Sequence, residues 1–303
     1  MKELDIVYTE NYLKYDLGED NPISKDKTMV FLQKLEEQGK IDYRLIEPEK
    51  AQENDLLLVH TPSYLSELKR LAASNPEADP DTPVNSGMLE GGLYIVGGTI
   101  LTLNLAIQDR RVVNLIGGMH HAGSYKASGF CIYNDHAIAI RKLQKEGRIN
   151  KAAVYDLDVH AGQGTQQIFY SDPSVMTVSI HQDPFTIYPG TGFESQKGEG
   201  KGVGTNINVT LSPGTREDVY LQALDSVLER TRNFGADVSI LVLGVDTFKG
   251  DFLGGLSLEE GSFEKIGERF RDFDKLAVLF GGGYSRKIPD LWMAFLEGYI
   301  GRK

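Results

Sequence analysis

Short apolar runs, many of them β-branched, recur along the chain at Leu4 to Tyr8, Leu56 to Val59, Val112 to Ile116, Ala152 to Leu157, Val175 to Ile180, Ile207 to Leu211, Val238 to Val245 and Leu276 to Phe280. Each has the length and composition of a strand. Between most of them the apolar positions change to helical spacing behind recognisable starts. Thr61-Pro62 precedes Tyr64, Leu65, Leu68 and Leu71, and Thr215 with Glu217 and Asp218 precedes Val219, Leu221 and Leu224. Alternation of strand and helix predicts a parallel sheet. Runs that are apolar at nearly every position predict strands covered on both faces, hence one three-layer α/β domain over residues 1–303 with eight strands. The stretches Ser74 to Gly87, with Asn-Pro, Asp-Pro and Thr-Pro turns, and Ser195 to Gly204, rich in Gly and Lys, read as surface loops.

No apolar run reaches the roughly 18 residues of a membrane helix. The N-terminus, Met1-Lys2-Glu3-Leu4-Asp5, carries acids where a signal peptide has its apolar stretch. A soluble, cytoplasmic protein without a membrane partner is the expectation. The 43 acidic and 32 basic side chains give a net charge of −11, which argues against direct nucleic-acid binding through a basic surface. Cys131 is the only cysteine, so neither a disulfide framework nor a cysteine-rich zinc module can form within the chain. The 33 glycines collect in GG and GGG clusters rather than in a linker.

Those clusters matter because ligands of open parallel sheets bind beyond the carboxyl ends of the strands. Val112 to Ile116 is followed by Gly117-Gly118-Met119-His120-His121, and Ala152 to Leu157 by Asp158-Val159-His160, with Asp156 inside the run. Val238 to Val245 is followed by Asp246, and Leu276 to Phe280 by Gly281-Gly282-Gly283-Tyr284. Asp156, Asp158 and His160 are spaced by two, so an extended backbone would point them to one side. Completed by Asp246, such a set offers three ligands with open positions, suited to Zn²⁺ or Fe²⁺ and leaving room for a water. The plainer reading, polar groups that satisfy strand ends and loop amides, accounts for any one of these positions more readily than for all four together. Six histidines in 303 residues give about 0.1 adjacent pairs by chance. A pair beside a metal can move the protons of a bound water. His60 and His136 read instead as satisfied core residues. Tyr284 is either a loop aromatic packed on the sheet or a hydroxyl donor to an oxyanion, reached through three flexible glycines.

Gly117-Gly118-Met119-His120-His121-Ala122 with Ala127-Ser128-Gly129-Phe130-Cys131, Asp156 to His160, Tyr188-Pro189-Gly190-Thr191-Gly192, Gly244-Val245-Asp246 with Gly250-Asp251, and Gly281 to Tyr284 together resemble the zinc-dependent histone deacetylase family. They stand in the family's order over nearly the whole chain. The segments Glu53 to Thr61 and Leu253 to Ser257 look most like the class IV branch and its prokaryotic relatives. The resemblance implies an arginase/deacetylase-like fold and a zinc-dependent amidohydrolase that removes acyl groups, acetyl first, from lysine side chains of proteins or peptides. By the same implication Asp158, His160 and Asp246 hold Zn²⁺, with Fe²⁺ as the other metal considered. His121 acts as general base and then acid, Asp156 orients His120, and Tyr284 with the metal holds the oxyanion. The Gly129 carbonyl accepts the substrate amide N–H, Phe130 and Tyr188 wall an acyl-lysine tunnel, and Asp81 matches a rim aspartate. A structural K⁺ or Na⁺ would lie near Asp156, Asp158, His160 and Ser179.

Three positions depart from the family pattern. Gln163 stands where Asp or Asn orients the second histidine, and its neutral amide puts the basicity of His121 in question. Ala161 replaces a histidine or glutamine after the metal histidine. Asn21 to Lys27 replaces a His-Pro motif and arginine, so Lys27 keeps the charge but loses the planar fork. Other functions make different demands. An arginase-type hydrolase needs a second-metal carboxylate where Phe248 stands. An acetylpolyamine or other small acylated-amine deacetylase has an acidic gatekeeper where Leu253 stands. A non-enzymatic acyl-lysine binder would have a dead site, against which stand the intact ligands, histidine pair and tyrosine. No oligomeric state is specified by the sequence.

Overall fold

The computed structural model describes residues 3–18, 27–74, 77–79 and 82–301. In chain order its strands are β1 (Leu4–Val7), β2 (Tyr43–Ile46), β3 (Glu77–Asp79), β4 (Thr82–Pro83), β5 (Arg111–Asn114), β6 (Ala152–Asp156), β7 (Val175–Gln182), β8 (Asn206–Leu211), β9 (Val238–Leu243) and β10 (Leu276–Phe280). The helices are α1 (Lys27–Gln38), α2 (Glu53–Leu56), α3 (Pro62–Ser74), α4 (Ser86–Ala106), α5 (Asp135–Lys145), α6 (Gln163–Phe169), α7 (Glu217–Thr231), α8 (Glu260–Phe270) and α9 (Ile288–Ile300). Strands β3 and β4 form a small antiparallel ribbon inside the loop foreseen before α4. The other eight form one sheet in the order β2-β1-β5-β10-β9-β6-β7-β8, every neighbouring pair parallel.

Alternate side chains of the central strands feed two cores. Leu276, Val278 and Phe280 of β10 pack with Phe31, Leu224, Phe263 and Trp292, from α1, α7, α8 and α9. Ala277 and Leu279 of the same strand pack on the opposite face with Leu68, Val96 and Ile138, from α3, α4 and α5. This is the three-layer α/β architecture that strands apolar on both faces require.

Two sequence expectations are corrected. Leu56 to Val59 is not a strand: Gln52 and Asp55 cap each other's backbone amides, starting the short helix α2, which runs into turns. The eighth strand is β2, whose side chains are only half-buried or exposed because it lies at the sheet edge, so Tyr43-Arg44-Leu45-Ile46 carries little apolar signal. Also, α4 is long and apolar enough to cross a membrane by length and composition. Glycines, threonines and an asparagine interrupt its apolar residues, and with 67% of its apolar window buried it serves as a core helix.

Candidate functional site

Strands β5, β10, β9 and β6 are consecutive in the sheet, so their carboxyl ends open on one place. The loop after β5 brings His120 and His121, the loop after β10 brings Tyr284, β9 leads to Asp246, and β6 to Asp158 and His160. The extended alternation read from Asp156 to His160 ends at Asp156, where β6 stops. Beyond it the chain bends, and Asp158 accepts the His160 backbone N–H at 2.9 Å while lying 2.9 Å from its ring Nδ1. Asp156 turns instead to His120, its Oδ2 2.6 Å from Nδ1.

The ligand atoms of Asp158, His160 and Asp246 lie within 4.8 Å of one another, and all three side chains are buried. Among the described residues no other three such side chains form a comparable group. Asp246 Oδ1 accepts the Val159 N–H at 2.9 Å, but its Oδ2 is buried without a hydrogen-bond partner. Burial and then the charge of Asp158 raise the Asp246 carboxyl. Two buried carboxylates, one orphaned oxygen and an imidazole fit a divalent cation, which would meet the charge that burial leaves uncompensated. Gly282 closes the centre: a Cβ there would lie 2.2 Å from Asp158 Oδ2 and 2.7 Å from Asp246 Oδ2.

The two histidines, with ring centroids 4.0 Å apart, differ in their partners. Burial disfavours charge on His120, but Asp156 and Asp158 outweigh it and lift the ring to about 9. His121 Nδ1 faces Gln163 Oε1 at 2.6 Å. Burial, then the charges of His120 and His160, hold His121 well below the usual histidine range. The two shifts run in opposite directions, favouring the imidazolium at His120 and the neutral ring at His121, a proton donor next to a proton acceptor. The pair is held from behind by Asp135, whose Oδ1 accepts the Met119 N–H at 2.7 Å and whose Oδ2 accepts the Gly118 N–H at 2.9 Å and the Thr99 hydroxyl at 2.6 Å. Sequence reasoning missed Asp135, because Asn134-Asp135 ahead of an apolar helix signals only a local cap.

Tyr284 is 9% exposed, and burial followed by the charges of Asp158 and Asp246 keeps its phenol protonated, so it remains a donor. Asp251 anchors its backbone: Oδ2 accepts the N–H groups of Tyr284 and Ser285 at 2.8 and 3.1 Å, and Oδ1 that of Leu253 at 3.0 Å. Gly129 has φ +53°, and a Cβ there would lie 2.3 Å from the His121 ring, so only glycine lets the backbone carbonyl approach. The Phe130 ring lies 6.1 Å from that of Tyr284, and Tyr188 stands edge-on to His121 at 5.1 Å. His120, His121, Phe130, Asp158 and Tyr284 line one cavity of about 110 Å³.

Lys27 lines the same cavity, its ammonium 5.6 Å from the Trp292 ring centroid. Burial brings it down to about 8 against the opposing pull of Asp246, Asp251 and Asp158. Ser179 pairs in register with Asp156, its hydroxyl 2.8 Å from His181 Nδ1. Leu253 is 38% exposed on the loop that Asp251 ties down. Asp81 and residues 21–26 lie outside the described residues. His60 and His136 are core residues. His60 Nδ1 lies 3.0 Å from the Gly123 carbonyl, its Nε2 accepts the Asn134 N–H, and His136 Nε2 lies 2.7 Å from the Thr165 hydroxyl.

A sequence model of the histone deacetylase domain matches residues 21–299. The chain belongs to the histone deacetylase family. Similar proteins include the acetoin utilization protein AcuC of Bacillus subtilis, 33% identical over 96% of this chain and 81% of that one. A probable deacetylase of Archaeoglobus fulgidus is 32% identical over 91% of this chain and 80% of that one. The crystal structure of a histone deacetylase homolog from Aquifex aeolicus superposes with a TM-score of 0.91 at 30% identity, covering all of this chain and 85% of that one. The fold is thus that of the arginase/deacetylase superfamily, and the chain is a deacetylase, a metal-dependent hydrolase of acetylated substrates.

Proposed function

We propose that this deacetylase removes acyl groups, acetyl first, from lysine side chains of proteins or peptides, with Zn²⁺ held by Asp158, His160 and Asp246. Fe²⁺ suits the same donors. The observation that carries this reading is the buried ligand set placed beside a histidine pair and a phenol, with Asp158, His120, His121 and Tyr284 lining one small cavity.

A divalent cation bound there supplies a Lewis acid that polarises the acyl carbonyl and acidifies water. His121 takes the proton of the attacking water at Nε2 and later returns it to the leaving amine. His120, kept charged by Asp156, stabilises the developing negative charge. Tyr284 donates its hydroxyl to the carbonyl oxygen as that charge forms. The Gly129 carbonyl accepts the substrate amide N–H, Phe130 and Tyr188 flank the aliphatic stem, and Asp81 grips the backbone at the rim. A K⁺ or Na⁺ beside Asp156, Asp158, His160 and Ser179 would stiffen the carboxylate-rich strand end.

Leu253 supports lysine over polyamine, since a leucine gives a second ammonium nothing in exchange for its lost hydration. The test is kcat/KM on a fluorogenic acetyl-lysine peptide measured beside N-acetylated putrescine and spermidine. The peptide is expected to be the better substrate, and equal or higher values on the polyamines would replace this reading with the small-amine one.

A further inference from the structure

The neutral partner of His121 raises a problem that a carboxylate would not. Either oxygen of an aspartate or glutamate accepts the Nδ1–H, but an amide has a right and a wrong way round. With Gln163 Oε1 toward His121, Nδ1 carries the proton and Nε2 keeps the lone pair that a base needs. With Nε2 of Gln163 toward it, Nδ1 must accept, and the His121 proton moves to the nitrogen that faces the substrate.

Two side chains sit where they can decide between these states. Gln163 Nε2 donates to Ser128 Oγ at 3.2 Å, and Ser128 in turn hydrogen-bonds the Tyr188 hydroxyl. The backbone of Ser128 is fixed by two hydrogen bonds with Cys131, of 3.1 and 2.9 Å. Gln163 is fixed as the first residue of α6, whose Thr165 N–H bonds the His120 carbonyl at 3.1 Å. Tyr188 is 39% exposed, and its hydroxyl hydrogen is not needed for the bond to Ser128, where either oxygen can donate.

We propose that Ser128 and Tyr188 are positioning residues that lock the Gln163 amide, through one directional hydrogen-bond chain, into the orientation that leaves His121 Nε2 free as the base. In that chain His121 Nδ1–H donates to Gln163 Oε1, Gln163 Nε2–H to Ser128 Oγ, and Ser128 O–H to Tyr188 Oη. The Tyr188 hydrogen points away from Ser128. Each link in the chain then has one donor and one acceptor. Without the Tyr188 oxygen, the Ser128 hydroxyl is left to donate to the neighbouring amide, which accepts only with its oxygen turned away from His121. Without the Ser128 hydroxyl, the amide loses the acceptor for its N–H. The role of His121 as base is taken from the proposed acyl-lysine hydrolysis; the orientation of the amide is not.

Tyr188→Phe keeps the ring against His121 and removes only the hydroxyl. Tyr188→Phe and Ser128→Ala are each expected to lower kcat roughly three- to tenfold with KM little changed, the scale of one hydrogen bond's preference. Both losses should vanish in a Gln163→Glu background, because a carboxylate has no wrong way round. Equal losses in the two backgrounds, or no loss in the wild-type background, would overturn the proposal.

A second readout needs no turnover. In ¹⁵N-histidine spectra of the metal-loaded protein near pH 8.5, wild-type His121 should show a protonated Nδ1 and a bare Nε2. The Nε2 signal should move toward the protonated position in Ser128→Ala and Tyr188→Phe, and an unmoved signal overturns the lock even if the enzyme is active. Spectra that shift as described in a protein inactive on acyl-lysine would leave the lock standing and defeat the proposed substrate instead. Thermal unfolding and metal content of each variant separate these effects from loss of fold.

Discussion

Asp251 is not among the residues that line the cavity, yet its replacement should reach the chemistry through Tyr284. Its carboxylate accepts three backbone N–H groups, from Leu253, Tyr284 and Ser285, and is itself only 7% exposed. A buried donor left unmet costs about 1–3 kcal/mol. Asp251→Asn keeps one acceptor oxygen. If that oxygen stays on Tyr284 and Ser285, the amide NH₂ faces the Leu253 N–H, one bond is lost and about 1–3 kcal/mol of stability goes with it. Asp251→Ala strands all three donors and should cost roughly three times as much. The kinetic effect has a ceiling, because the most that displacing Tyr284 can remove is what its hydroxyl contributes. For a single oxyanion donor that is about 10²- to 10³-fold in kcat, the loss expected for Tyr284→Phe with metal content unchanged.

The decisive assay is a double-variant cycle on an acetyl-lysine peptide, with thermal unfolding and metal content followed alongside. If Asp251 works through the phenol, Asp251→Asn lowers kcat in the wild-type background but adds little to Tyr284→Phe, since nothing remains to be misplaced. Fully multiplicative losses in the double variant would refute the reasoning and give Asp251 a separate task.

Chelation should abolish turnover, and Asp246→Asn should lose metal and activity together, with metal analysis of the unmodified protein returning one tightly held ion per chain; two ions or none would contradict the single buried ligand set. Gln163→Glu should move the acid limb of kcat/KM to higher pH. The working form of His121 is the neutral ring, activity is lost as pH falls through its pKa, and a carboxylate 2.6 Å from Nδ1 stabilises the imidazolium and raises that pKa. A limb that stays in place or moves down would show that the amide does not control this ring. Leu253→Glu should shift the kcat/KM ratio toward acetylated polyamines by about 1–3 kcal/mol, and an unchanged ratio would mean that Leu253 does not meet the substrate.

Much of this site is legible in the chain because chemistry and apolar runs sit next to each other in sequence. An apolar run followed by Asp158 and His160, another followed by Asp246, a histidine pair behind two glycines and a tyrosine behind three mark the carboxyl edge of a parallel sheet without any coordinates. The runs themselves are readable where burial is two-sided, as in β6, β9 and β10. They are not where it is one-sided: β2 passes for a loop, while the capped turn around Leu56 imitates a strand.

Strand order, by contrast, is not written in any local pattern. That β5, β10, β9 and β6 stand side by side follows from how the helices pack over the two faces, and this adjacency alone turns scattered polar residues into one cavity. The supporting residues are hidden for the same reason. Asp135 reads as a helix cap, and the sequence names Ser128 and Asp251 only as members of motifs without their partners, since a hydrogen bond across 16, 35 or 33 residues leaves no periodicity behind. Apolar period records which face of an element is dry, but the partner of a buried polar group is set by whichever segment the folded chain brings within 3 Å of it.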